Sequence, residues 1–436
     1  MIKDAAEDIF SNQKAWVITV DMGYGHQRTA DNLKHLSPGE KIICANNYNG
    51  MPLKDRKLWE NSRKFYEAVS AFKRVPLIGG LVFAIFDFFQ RVPQFYPKRD
   101  LSKPDFTLKQ LYSLIGKGWG KDLILRLSSG QVEKHLPLIC TFFTPAFMAE
   151  FFKYPGEIFC TVCDTDMSRT WVPLDPRKSK IKYFAPTKRV AERLKLYGVK
   201  PENILFTGYP LPLENIEALK EDLKNRLLNL DPRKRFFDKY DSLLTEKLGS
   251  FPDQADHPLT LMFAVGGAGA QKEMAIAVLE SLKFRVKAGE IKMILVAGIR
   301  KAVKEYFEQE IKDLGLSDQI GGSLEILSAP NMKEYFQAFN QSLRKTDILW
   351  TKPSELSFYA ALGLPIIIAP TIGSHEEFNK RWLLKSDFGV LQKNPSFAAE
   401  WITDMINEGH LAERAFSGFI DGESQATINI QKAVEK

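Results

Sequence analysis

A histidine sits directly behind a pair of glycines in Gly23-Tyr24-Gly25-His26, which follows a short apolar run at residues 15–20. Gly23 and Gly25 permit a tight turn and a close approach of backbone to a ligand. A helical stretch from about residue 27 aims its first N–H groups into the same space. An imidazole there, beyond the carboxyl end of a strand, can take a proton from an attacking hydroxyl near neutral pH. The other reading of His26, as a helix cap or a partner for a backbone carbonyl, stays open at this point.

The same logic recurs further along. Residues 263–273 run strand, glycines, helix, with Gly266, Gly267 and Gly269 in a loop suited to a diphosphate. The loop lacks the spacing of a P-loop and of the usual G-x-G-x-x-G fingerprint. A third constellation begins at Thr351-Lys352-Pro353-Ser354-Glu355 and continues, after an apolar helix and a strand at 365–369, with His375, Glu376 and Asn379. Strand, loop, helix, strand, loop brings both polar loops to one sheet edge. There carboxylates and amides can hold sugar hydroxyls, and Lys352 can neutralise phosphate. A solvated charged face is the alternative. Asp164-Thr165-Asp166 imitates an acidic metal site, but two carboxylates alone do not fix a metal, and no metal is expected.

The elements that must carry these loops alternate. Strands are predicted at 15–20, 41–44, 136–143, 157–163 and 181–185, with a helix at 188–197 among those between them. After a densely charged helical stretch at 213–257, strands return at 259–265, 291–297, 323–327, 347–350 and 365–369. Alternation of this kind predicts parallel sheets with helical crossovers, hence two doubly wound α/β domains in tandem, their glycine loops facing across a cleft as a bisubstrate site.

The 436 residues suit two domains of roughly 200 residues each. With 44% hydrophobic and 26% charged residues the chain is globular, not disordered. A net charge of +7 favours an anionic partner, but the basic residues are dispersed and no aromatic-rich basic strand appears, so nucleic acid is not expected. Cys44, Cys140, Cys160 and Cys163 are too sparse for a disulfide framework. Cys160 and Cys163 have C-x-x-C spacing, but an odd offset on a strand would send them to opposite faces, so buried thiols are expected. Residues 1–14 carry acids and no apolar core, so no signal peptide is expected and the chain should stay in the cytoplasm. No segment reaches the ~20 apolar residues of a membrane span. Residues 75–90 come nearest: Phe83, Phe86 and Phe89 lie between Lys73 and Arg74 on one side and Arg91, Lys98 and Arg99 on the other. Such a segment can lie among acidic lipid headgroups; a buried helix or a substrate-lining lid is the alternative.

The loops, in this order, resemble glycosyltransferase family 28, in particular the branch of monogalactosyldiacylglycerol synthases and bacterial diacylglycerol glucosyltransferases, with the peptidoglycan enzyme MurG as a more distant relative. The resemblance rests on Gly23-Tyr24-Gly25-His26, on Asp164 to Trp171, on Tyr183-Phe184, on Gly198 to Pro210 with its Thr207-Gly208-Tyr209-Pro210 ending, on Thr351-Lys352-Pro353, and on His375 to Asn379. It covers nearly the whole chain apart from the charged stretch.

The resemblance implies a GT-B fold. Residues 1–212 would form an acceptor-binding Rossmann-like domain, 213–257 a helical connector, 258–420 a donor-binding Rossmann-like domain, and 421–436 a helix returning to the first domain. It implies an inverting, metal-independent hexosyltransferase with no cofactor, whose donor is a nucleotide sugar, a UDP-hexose by expectation. Its acceptor would be a lipid such as diacylglycerol, at the inner face of an anionic membrane. His26 would be the base. Gly23, Gly25 and Asp164 would line the acceptor side, and Gly266, Gly267, Gly269, Thr351, Lys352, Pro353, Ser354, Glu355, His375, Glu376 and Asn379 the donor side.

The chain departs from the family pattern in four places. Ser354-Glu355 replaces two glycines, Ala360 stands where a ribose-gripping acid belongs, His375 replaces a glutamine, and Ser168 replaces a histidine. These departures keep two other readings open: a GT-B enzyme with another donor or a non-lipid acceptor, and a nucleotide-sugar-binding relative without catalysis.

Overall fold

The computed structural model describes residues 14–61, 92–129, 135–264, 266, 269, 271–371 and 373–435, without the side chains of Ser374 and His375. Residues 83, 86, 89 and 91, on which membrane contact is expected, lie outside the described residues. The chain divides into two compact units, residues 1–210 with 425–436, and residues 211–424.

The first unit is built on a six-stranded, wholly parallel sheet, ordered β2-β1-β3-β4-β5-β6. Its strands are β1 (Trp16–Thr19), β2 (Ile42–Cys44), β3 (Leu138–Cys140), β4 (Ile158–Thr161), β5 (Lys182–Ala185) and β6 (Ile204–Phe206). The central strands are apolar without alternation because both faces are covered. Ile18, Leu138, Cys140, Ile158 and Tyr183 pack into one cluster, while their neighbours Val17, Ile139, Phe159 and Phe184 pack into another on the opposite face. Its helices include α1 (Tyr24–Asp31), α2 (Phe106–Gly116), α3 (Lys121–Ser129), α4 (Phe143–Phe151) and α5 (Lys188–Leu196).

The second unit repeats the plan with β7 (Thr260–Ala264), β8 (Lys292–Gly298), β9 (Leu324–Ser328), β10 (Ile348–Thr351), β11 (Ile366–Ile368) and β12 (Gly389–Leu391), ordered β12-β11-β10-β7-β8-β9. Its helices are α6 (Leu213–Glu217), α7 (Leu219–Leu230), α8 (Arg235–Leu248), α9 (Lys272–Lys287), α10 (Lys301–Asp313), α11 (Met332–Leu343), α12 (Ser374–Lys385), α13 (Ala398–Asn407) and α14 (His410–Asp421). Counted within the unit this is the Rossmann order, with the chain reversing direction across the sheet between β7 and β10. In the first unit the reversal falls between β1 and β3. The expected fold class, α/β with two Rossmann-like doubly wound units as in GT-B proteins, is the one observed.

Two expectations need correction. Residues 213–257 are not a connector standing between domains but part of the second unit. Leu223, Leu227 and Leu230 of α7, with Phe236, Leu244 and Leu248 of α8, join that unit's core. A fully buried leucine contributes about 1.5–3 kcal/mol, which outweighs the charge on the outer face. Arg226, buried among them, donates to the carbonyls of Thr346, Leu362 and Gly363 and ties α7 to the chain around β10. The final helix, α15 (Ala426–Val434), lies with the first unit, to which residues 421–436 are expected to return, and Ile430 and Val434 pack with Val17 and Ile139. Lastly, β4 ends at Thr161, so Cys163 lies beyond the strand and the face-alternation argument does not reach it; Cys140, Cys160 and Cys163 are buried all the same. Among the described residues no helix is long and apolar enough to cross a membrane.

At the amino end of β10 a buried polar cluster holds the second unit's sheet. The Asp347 carboxylate, fully buried, accepts from Asn229 Nδ2 (3.0 Å) and from the Thr260 amide (2.8 Å), and lies 3.2 Å from His257 Nε2. His257 Nδ1 meets the Asp256 carboxylate at 2.5 Å. Burial opposes a charge on His257, but the hydrogen bonds and fields of Asp347 and Asp256 prevail and raise its pKa. Burial likewise raises that of Asp347. Both shifts mean that the folded site holds a proton more tightly than the unfolded chain does. For His257 the stabilisation is therefore fully present below its unfolded pKa of about 6.5 and is lost as pH rises through the higher folded value. Thermal midpoints measured from pH 6 to 9 are expected to fall across that window, and His257→Gln is expected to flatten the fall. An identical pH profile in the variant would remove His257 from this role.

Candidate active site

Strand β1 delivers the chain to the Gly23-Tyr24-Gly25-His26 turn at the first unit's switch point. Gly23 caps α1 at φ 136°, a conformation that side chains rarely adopt, and nothing lies within 4 Å of where a Cβ would stand. His26, half-buried, bonds through Nδ1 to the carbonyl of Thr141, just past the end of β3, at 2.8 Å. A carbonyl oxygen only accepts, so Nδ1 carries the proton and the neutral ring keeps its lone pair on Nε2. The ring is further held by Phe142 (centroids 4.9 Å apart) and Trp171 (6.1 Å). The cap reading of His26 is thus half right: a backbone carbonyl is satisfied, and that bond selects the tautomer a general base needs.

The loops around it close on the same point. Thr29 Oγ1 donates to the Gly25 carbonyl and lies 3.0 Å from the Tyr209 hydroxyl, so the Thr207-Gly208-Tyr209-Pro210 segment meets α1. Cys163 Sγ lies 3.4 Å from the Thr141 carbonyl, which sets the half-buried Asp164 in the loop beside His26's partner. Asp166 turns the other way. Its carboxylate accepts from Arg189 Nε (2.7 Å), Arg193 Nε (2.8 Å) and Arg193 Nη2 (2.9 Å), with the Asp166 and Arg193 side chains fully buried. That ion pair holds α5 against the loop, so Asp164-Thr165-Asp166 carries a structural anchor. Among the described residues no group of three or more His, Cys, Asp or Glu side chains is placed to hold a metal.

In the second unit the switch point is formed by the loops after β7 and β10. The glycine loop is tight: the Gly269 amide donates to the Gly266 carbonyl at 2.7 Å, and Gly269 sits at φ +70°. A Cβ on Gly266 would stand 2.9 Å from Lys352 Cε, so the lysine stem crosses the loop only because residue 266 has no side chain. Lys352 Nζ is 2.6 Å from Glu376 Oε1, and the Glu376 side chain is 2% exposed. Asn379, buried one turn on, donates from Nδ2 to the Pro353 carbonyl at 3.3 Å. Thr351 Oγ1 donates to the Ala264 carbonyl at 3.2 Å. Of Lys352, Glu355, His375, Glu376 and Asn379, which the sequence order brings to one sheet edge, Lys352 and Glu376 meet directly and Asn379 bonds the Pro353 carbonyl, with Gly266 beside the lysine stem. Gly267 and the side chain of His375 lie outside the described residues.

Ser354 and Glu355, both half-buried, open a short 3-10 helix, Glu355–Leu362, whose remaining residues are buried. Ala360 is fully buried, and a Cβ on Gly418 of α14 would meet its carbonyl oxygen at 2.1 Å. A carboxylate at 360 would be taken out of water. An open groove of about 590 Å³ in the first unit, lined by Phe159, Lys182, Phe206 and Lys432 among others, contains none of these site residues. Sequence reasoning missed the Thr141 carbonyl and Phe142. The only local signal was the aromatic pair Phe142-Phe143 directly after an apolar strand.

Comparison with known proteins adds the following. A family described as a domain of unknown function (DUF6938) matches residues 252–382, all within the second unit. The chain is similar to the processive diacylglycerol beta-glucosyltransferase of Bacillus subtilis (strain 168), at 21% identity over 281 residues, 63% of this chain. It spans 62% of that relative's length. Among solved structures it is similar to S. aureus MnaA in complex with UDP, at 15% identity and a TM-score of 0.48, covering 96% of this chain and 94% of the other. It is also similar to MurG of Acinetobacter baumannii, at 14% identity and a TM-score of 0.42, covering 75% and 77%.

Proposed function

We propose that this chain is a hexosyltransferase that moves a sugar from a nucleotide sugar, UDP-linked, to the hydroxyl of a lipid acceptor such as diacylglycerol. The reaction inverts the anomeric carbon, needs no metal or cofactor, and takes place with the protein held peripherally at the cytoplasmic face of an anionic membrane. The observation that carries the reading is the placing of the two chemistry-bearing motifs at the switch points of two Rossmann-like sheets, His26 at one and the Lys352–Glu376 pair over a glycine loop at the other. The likeness to a diacylglycerol beta-glucosyltransferase supports the sugar and the acceptor class.

In this scheme Nε2 of His26 accepts the proton of the acceptor hydroxyl as its oxygen attacks the anomeric carbon. The bond from that carbon to the diphosphate oxygen breaks, and UDP leaves with the bonding electron pair. Lys352 offsets the charge that builds on the leaving diphosphate. Thr141 contributes by holding the ring in the productive tautomer.

A second reading has its own observation. Glu355 at the phosphate loop and the closed site at Ala360 favour a protein with another donor, or one that binds a nucleotide sugar without catalysis. Calorimetric titration with UDP, UDP-glucose and UDP-galactose separates the readings. Micromolar binding of UDP and of one of the sugars is expected, followed by transfer to diacylglycerol in vesicles. Absence of binding to all three would overturn the UDP-sugar reading. Binding without transfer to any hydroxyl acceptor would leave only the non-catalytic one.

A further inference from the structure

Gln271, half-buried at the end of the glycine loop, carries two local costs that its own helix does not explain. It is the N-cap of α9, with φ 69° and ψ 17°, and its side chain makes no capping bond. An N-cap is ordinarily extended and turns its side chain back to the first turn of the helix. A left-handed backbone is unfavourable for a residue with a Cβ, and such strain persists where surrounding contacts over-determine it, most often at functional sites. The second cost is at the amide. Nε2 donates to the Pro370 carbonyl at 2.8 Å, and because a carbonyl only accepts, that bond fixes which way the amide faces. Oε1 is left buried, with no hydrogen-bond partner among the described residues.

What the bond achieves is closure. Pro370 lies in the chain between β11 and α12, and Glu376 stands on the first turn of α12. Glu376 holds Lys352, whose stem passes over Gly266. Gly266 in turn accepts from the amide of Gly269, two residues before Gln271. Gln271 to Pro370, Glu376 to Lys352, and Lys352 over Gly266 therefore tie the loops after β7, β10 and β11 into one ring. Of these three links, the Gln271 bond is the one that joins the glycine loop to the loop after β11 without passing through the lysine.

We infer that Gln271 is a positioning residue: it holds the glycine loop against the loop after β11, so that Gly266 stays under the Lys352 stem and the ammonium is set for a nucleoside diphosphate. The last step rests on the reading of Lys352 as the group that meets the donor's diphosphate. The placing of Lys352 itself does not depend on that reading.

Gln271→Asn is the test, because asparagine accepts a left-handed backbone but is one methylene too short to reach Pro370. In ligand-free protein, acetylation of Lys352 by acetic anhydride, followed by mass spectrometry, is expected to quicken about threefold, as loss of one neutral hydrogen bond allows. Lys292, ion-paired with Glu325 at the start of β8, is the internal control and should keep its rate. UDP affinity is expected to fall about fivefold, the worth of the same bond. In Lys352→Ala/Gln271→Asn the further loss relative to Lys352→Ala should be under about twofold, since residues that act through one another do not add. Unchanged labelling of Lys352, an equal rise at Lys292, or an undiminished affinity loss in the Lys352→Ala background would overturn the inference. If Lys352 labelling rises selectively while the wild-type protein binds no UDP, the donor reading fails and the placing of Lys352 by Gln271 stands.

Discussion

His26→Ala is expected to lower turnover by about 10²- to 10⁴-fold, the usual contribution of a positioned general base, while UDP affinity stays within about twofold. The asymmetry follows from the fold. His26 belongs to the first unit, fixed by the Thr141 carbonyl and the faces of Phe142 and Trp171. The residues expected to hold the diphosphate belong to the second. Removing the imidazole leaves the second unit's contacts in place, so binding and turnover should part company. His26→Gln makes the check sharper. Its amide can still donate to the Thr141 carbonyl but cannot take a proton, so it is expected to be as inactive as alanine while matching wild-type stability. The acid limb of the pH–rate profile should also disappear in both variants. Turnover within tenfold of wild type in either one would remove His26 as the base and return it to a structural role.

Much of this site was legible because strand, glycine turn and helix are local patterns. The strand predicted at 15–20 is Trp16–Thr19, the helix expected from about residue 27 begins at Tyr24, and the polar loops after β10 and β11 meet as their order along the chain predicts. What was not legible depends on partners distant in sequence. The Thr141 carbonyl is 115 residues from His26, and nothing in a backbone group's identity announces it. The edge strands Ile204–Phe206 and Gly389–Leu391 are three residues long and partly exposed, too short for a period to register. Residues 213–257 misled through their charge: leucines at 223, 227, 230, 244 and 248 carry the packing, while the lysines and glutamates between them mask the apolar stripe. The departure at Ala360 looked like a lost ligand. The Ala360 side chain is fully buried in the packed fold, which the sequence alone does not reveal.

The second large effect is expected at Lys352. Its ammonium lies over the Gly266 turn and 2.6 Å from Glu376 Oε1, whose side chain is almost wholly buried. Lys352→Ala should weaken UDP binding by about 10- to 100-fold, the worth of one charge-assisted hydrogen bond. It should also destabilise the second unit by about 3–5 kcal/mol, because a buried carboxylate then faces the site without its cation. These two effects have different remedies, and that is how they are told apart. In Lys352→Ala/Glu376→Gln the stranded charge is gone, so most of the lost stability should return, read as recovery of the thermal midpoint. UDP affinity should recover only in part, since the repulsion of the diphosphate by Glu376 is relieved but the ammonium is still missing. Glu376→Gln alone leaves the ammonium with a weaker tether and should bind UDP within about fivefold of wild type, as expected when the hydrogen bond to phosphate outweighs the loss of orientation. If the double variant regains full UDP affinity, Lys352 serves only to neutralise Glu376, and the diphosphate must be held by the glycine-loop amides without it.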